Sequence, residues 1–142
     1  MNCMGAVRAS VLLENGDDVA LAARGMLDSP SIRHVTADML VDTGAVVVLL
    51  PQDMVEALGL RLGRKVVVVM ANDQKIEMRF AQNLSVTVGD RTMTTDCLVG
   101  PPRCEPLLGQ VVLEQLDLVV HPTTQQLGVN PASPFLPMLS LK

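Results

Sequence analysis

The 142-residue chain contains no tryptophan, no tyrosine and only two phenylalanines. Its formal net charge is -4, acidic residues outnumbering basic ones. These two shortages remove the stacking rings and the basic track that a nucleic-acid surface needs, so no nucleic-acid partner is expected. Long hydrophobic runs are missing as well. The longest, Val46 to Pro51 and Val66 to Ala71, are far below membrane-spanning length. No basic segment followed by a long apolar core opens the chain in the manner of a signal peptide. The expectation is a cytoplasmic protein with no membrane partner. Cysteine is sparse: Cys3, Cys97 and Cys104 form an odd set without CxxC or Cys/His spacing. That suggests neither a disulfide framework nor a metal site, and leaves free thiols.

What the chain does contain is aliphatic. It is 49% hydrophobic, so its core must be built from Val, Leu, Met and Ala, and clustered valine favours strands. The length suits one domain, expected over residues 1–130. A tail over residues 131–142, with Pro131, Pro134 and Pro137, is expected to be loosely ordered. Residues 6–13 alternate as a first strand, and Glu14 to Asp18 supply turn chemistry. A short helical or irregular connection follows, broken at Gly25 and Ser29-Pro30, before an extended segment runs to Asp42. Residues 52–58 have helical spacing and end at Gly59. Residues 65–80 read as a hairpin around Asn72-Asp73-Gln74, followed by separate strands "NLSVTVGD" and "RTMTTDCLVG". Leu107-Leu108-Gly109 is extended, residues 110–116 present one apolar helical face, and two last strands flank "HPTT". The runs "VVVLL" and "VVVVM" are expected as core strands. The fold class is mainly β, with one or two short helices.

In "MLVDTGAVVVLLP", residues 39–51, one aspartate interrupts an otherwise apolar stretch. Burying a carboxylate there is costly without a partner, so Asp42 is either a strand-end turn former or a functional acid. Three features, taken in order, bear on the choice: Asp42-Thr43-Gly44-Ala45, the hairpin "VVVVMANDQKIEMRF", and "PLLGQVVLEQLDLVV" over residues 106–120. Together they resemble the retroviral-type aspartic proteases, and more closely the single-domain bacterial retropepsin-like proteins.

The resemblance implies an acid-protease fold of one lobe with a flap hairpin, paired into a symmetric homodimer. It implies catalytic roles at Asp42, Thr43 and Gly44: the acid, a hydroxyl that locks two active loops together, and a backbone that approaches substrate. Ala45 and the flap residues Met70, Ala71, Asn72, Asp73 and Gln74 would contact a polypeptide substrate, with no metal or organic cofactor. The chemistry needs two carboxylates sharing one proton, and one chain supplies one, so Asp42 of each subunit would meet at a two-fold axis. Position 46 is Val where related motifs often carry a small polar or acidic residue, and the hairpin tip lacks glycine. These two departures support an alternative, a non-catalytic dimeric peptide-binding or assembly module. His34 and His121 are not adjacent to a Ser or Cys nucleophile motif, so no triad is expected.

Overall fold

A computed structural model describes residues 6–141 of the chain; Cys3 lies outside them. The elements follow in the order β1 Arg8–Asn15, α1 Gly16–Ala23, a 3-10 turn at Ser29–Ser31, β2 His34–Val41, β3 Val48–Pro51 and α2 Gln52–Leu58. Then come β4 Arg61–Val69, β5 Lys75–Val88, β6 Arg91–Gly100, β7 Leu107–Leu108, α3 Gln110–Gln115, β8 Leu118–His121 and β9 Gln126–Val129. The architecture is mainly β, as expected, but the described residues form three short α-helices where one or two were expected, because the segment after β1 is helical.

Seven strands form one sheet in the order β1-β2-β7-β3-β6-β5-β4, and β1 also pairs with β5. That extra pairing closes six strands into a ring and leaves β4 outside it, on the far side of β5. The second sheet is the antiparallel hairpin β8-β9. Inside the ring, Val11, Leu13, Met39, Leu50, Leu84 and Leu108 are fully buried. The interior is thus filled by Val, Leu and Met side chains on alternating strand positions. Among the described residues, no helix is long and apolar enough to cross a membrane.

Local chemistry places the helices. Asn15 ends β1 and caps α1: its Oδ1 accepts from the Asp18 N–H at 3.0 Å, while its Nδ2 donates to the carbonyls of Leu58 (2.8 Å) and Gly59 (3.2 Å). One buried amide therefore joins the start of α1 to the end of α2. Helix α2 stops at Gly59, whose φ of +64 suits a residue without a Cβ. A Cβ there would also run into the Arg33 guanidinium.

Several expectations change in three dimensions. The expected turn over Glu14 to Asp18 is the end of β1 and the first turn of α1, because the Asn15 cap starts a helix there. Asp18 is buried and paired, not solvated. Strand β5 runs unbroken through both halves of what read as two strands, with a register shift near Asn83, whose φ is +60. Of the valine runs, "VVVLL" buries Val48 and Leu50 but leaves Val46 71% exposed. No residue of β4 is buried, and Val67 and Val69 are more than 60% exposed. The reason is topological: among the described residues β4 pairs only with β5, so one of its edges is left open. The tail is held as well. Asp117 accepts from Asn130 Nδ2, Ser133 Oγ and the Met138 N–H, and buried Arg91 donates to the carbonyl of Ser133 at 2.6 Å.

Asp18 takes three hydrogen bonds from Arg33, from its N–H, Nε and Nη2, at 2.8 to 3.0 Å. Arg33 thereby holds the Asp18 carboxyl below the usual carboxylate range. A folded-state pKa below the unfolded one gives stability that is present above the ordinary carboxylate pKa of about 4 and is lost as pH falls through the folded value. Asp18→Asn is expected to cost about 1–3 kcal/mol at neutral pH, since Arg33 remains half exposed. The difference from wild type should shrink in acid. Urea midpoints at neutral pH and near pH 3 measure both effects.

Candidate active site

The loop after β2 is built almost entirely by backbone hydrogen bonds. Strand β2 runs parallel to β7, with Leu40 beside Leu107 and Val41 beside Leu108. The Asp42 N–H donates to the Leu108 carbonyl at 3.0 Å. The chain then turns on the aspartate itself: Oδ1 of Asp42 accepts the Gly44 N–H at 2.9 Å, and its carbonyl accepts the Ala45 N–H at 3.2 Å. This is the side-chain turn that Asp followed by Thr-Gly favours.

The far side of the loop meets α3. Gly109 precedes that helix without a side-chain cap, so its first N–H groups need other acceptors. The Ala45 carbonyl accepts from Gln110 at 2.7 Å and the Val46 carbonyl from Val111 at 2.9 Å. Gly109 itself has an ordinary φ of -91. Space is what demands glycine: a Cβ would lie against the Val47 carbonyl oxygen, 2.8 Å from its carbon and 2.9 Å from the carbonyl carbon of Val46.

Between this loop and the β4-β5 hairpin lies a cleft of about 610 Å³. Asp42, Gly44, Ala45 and Val46 form one side, Leu49, Leu98 and Leu107 the wall, and Val68, Val69, Met70, Ala71 and Met78 the hairpin side. Asp42 is the one ionisable side chain in this lining. Of the expected site residues, Gly44, Ala45, Met70 and Ala71 join Asp42 there. Thr43 is exposed at the tip of the turn, outside the lining. Asn72, Asp73 and Gln74 are exposed at the hairpin tip, the Gln74 N–H donating to Asn72 Oδ1 at 3.0 Å and the Asp73 N–H to the Met70 carbonyl at 2.9 Å. The wall residues Leu49, Leu98 and Leu107 and the hairpin residues Val68 and Met78 had not been singled out. Their signal in the sequence is weak, because apolar alternation marks every strand alike.

Several other titratable groups are engaged elsewhere. Arg8 bonds Asp38 at 2.9 Å and Glu105 at 2.6 Å, tying the loop that delivers β7 to the ring and keeping the Glu105 carboxyl below its usual range. Burial pushes the Cys97 thiol up to about 12, so it stays protonated near neutral pH. Among the described residues, no group of three or more His, Cys, Asp or Glu could hold a metal ion.

A β ring with an Asp-Thr-Gly turn under a hairpin, and a Leu-Leu-Gly segment threaded beside that turn, is the arrangement of the retropepsin-like aspartic proteases. Residues 29–115 match the family described as "gag-polyprotein putative aspartyl protease", and the chain belongs to that family. Among solved structures, the EIAV protease complexed with the inhibitor HBY-793 is similar, with a TM-score of 0.52 and 19% identity over 77% of this chain and 86% of that one. At that identity the likeness concerns the fold. No curated protein matches.

Gly109→Ala tests the threading. The added methyl has no room without moving the Val46-Val47 backbone, so a loss of about 2–4 kcal/mol is expected. At Gly25 there is open space within 4 Å but φ is +73, so Gly25→Ala should cost only about 1 kcal/mol, from backbone strain. Thermal or urea unfolding of the two variants against wild type makes the comparison.

Proposed function

We propose that the chain is an aspartic endopeptidase that works as a symmetric homodimer, with Asp42 of each copy forming the catalytic pair. The observation that carries this reading is the cleft: one carboxylate, on a loop fixed by backbone bonds on both sides, faces an otherwise apolar channel beneath a hairpin. A single acid cannot both take a proton from water and give one to the peptide carbonyl. Two carboxylates about 3 Å apart can, because like charges at that distance favour sharing one proton.

The roles follow from position. The ionised Asp42 accepts a proton from the attacking water while its protonated mate donates to the carbonyl oxygen; the tetrahedral intermediate then collapses with a proton passed to the leaving amine. Thr43, exposed and without a hydrogen bond among the described residues, is free to bond across the two-fold axis. Substrate lies extended between the loop and the hairpin, held by main-chain bonds, with apolar side chains in the Val, Leu and Met pockets. Met70 and Ala71 cover it, and Asn72, Asp73 and Gln74 form the rim of the cover.

The alternative, a non-catalytic peptide-binding dimer, is favoured by Val46, whose 71% exposed side chain offers no polar contact beside the acid. One experiment separates the two. Wild type and Asp42→Asn are compared at equal dimer content, checked by sedimentation, on a reduced and alkylated protein substrate from acid to neutral pH. The enzyme reading expects cleavage that falls as the shared proton is lost at higher pH, and a drop of about 10²–10⁴-fold in the variant. Binding without cleavage by either protein would favour the alternative, and a strictly monomeric wild type would overturn the paired-acid mechanism.

A further inference from the structure

Strand β4 is the last strand of the large sheet, and among the described residues no strand pairs with its outer edge. It is nine residues long, and Leu62, Val67 and Val69 are 57%, 64% and 61% exposed. Long apolar edges invite another strand, and proteins blunt them with charge or bulges. Here the blunting is confined to one end, where the register shifts between Leu62 and Lys65 and two cations follow each other, Arg64 and Lys65. Nothing interrupts Val66 to Val69.

The two cations are weakly committed. Arg61 is spoken for by Asp17 and Gln82, both at 2.7 Å. Arg64, by contrast, lies 4.7 Å over the Phe80 ring with no carboxylate partner among the described residues. Lys65 meets Glu77 at 3.6 Å with both side chains more than half exposed, a pair worth little in water.

We propose that the outer edge of β4 is a second polypeptide-binding site, which adjoins the cleft at Val69 and takes an extended segment of apolar residues followed by two adjacent acids. Its main-chain groups would supply the hydrogen bonds and its side chains the selection. Arg64 lies within the register shift and Lys65 where the regular ladder resumes, so two adjacent cations stand at this end of the edge and ask for two consecutive acids. An antiparallel partner sets those acids after the residues opposite Val69 and Val67. A second copy of the same edge fits poorly in the register that pairs all nine residues. Antiparallel self-pairing about the strand centre would put Lys65 opposite Lys65, with Arg64 alongside, and like charges opposed across a ladder are destabilising.

The test uses the full chain carrying Asp42→Asn, so that the outcome does not depend on catalysis. The probe is fluorescein-labelled Val-Thr-Val-Thr-Glu-Glu, with Val-Thr-Val-Thr-Lys-Lys as its counterpart, followed by anisotropy. Saturable binding of the acidic peptide is expected, weakened about tenfold or more by Arg64→Glu with Lys65→Glu, a change of the size of two surface ion pairs. The same double variant should gain binding of the lysine peptide. Hydrogen exchange on the chain without the double substitution gives a readout independent of how that variant folds: amides of residues 64–69 should slow when the acidic peptide is added. Protection at residues 42–47 instead, binding indifferent to charge reversal, no binding at millimolar peptide, or self-association through β4 would each overturn the proposal.

Discussion

Gly109 passes so close to the backbone of Val46 and Val47 that no side chain fits between them, and the position of the acid depends on that contact. The carbonyls of Ala45 and Val46 serve as the missing cap of α3, and α3 in return fixes the loop that carries Asp42. Two segments more than sixty residues apart are thereby one rigid unit. The other end of the helix is secured in the same way. Arg91 donates to the carbonyls of Leu116 and Asp117 at 2.8 and 3.0 Å, and to Ser133 in the segment that returns to Asp117. A helix of six residues has little stability of its own; anchored at both ends, it becomes the post against which the Asp42 turn is set.

Around this post the molecule divides its apolar surface unevenly. The closed ring consumes the valines and leucines of β1, β2, β3 and β7, and with no tryptophan or tyrosine to fill space it relies on close packing of aliphatic side chains. The hairpin β4-β5 projects from the ring and keeps apolar residues on both faces. It lines the cleft with Val68, Val69 and Met78, and leaves Val67 and Val69 more than 60% exposed. A hairpin strand with one neighbour cannot be buried on both sides, and exposure of these valines follows from that geometry.

Much of this was readable in the residues. Gly59 and Gly109 marked a helix end and a helix start, the hairpin around Asn72-Asp73-Gln74 was plain from its polar tip between β-branched arms, and Asp42-Thr43-Gly44 stood out as a carboxylate in an apolar stretch. Less readable were places where a distant partner overrides a local signal. Glu14 to Asp18 has the composition of a solvated turn, yet the amide of Asn15 reaches the end of α2 and Arg33 reaches Asp18, so the segment is a strand end running into a helix and is largely buried. The bulge at Asn83 bends β5 without ending it. The proline-bearing tail lacks periodicity, but Asp117 gathers its side-chain and backbone donors and holds it against the body.

By itself, then, the sequence determined what depends on neighbours along the chain: strand and helix periods, the side-chain turn at Asp42, the glycine stops and the order of landmarks that marks the family. The tertiary structure alone decided which distant residues share the cleft, why Gly109 must lack a side chain, and which valines are core and which are cover. The physical reason is that burial and close approach are properties of pairs of surfaces. A run such as Val66 to Val69 carries the same propensity whether or not another layer stacks upon it, and only the closure of the ring without β4 leaves it, among the described residues, at the end of the sheet.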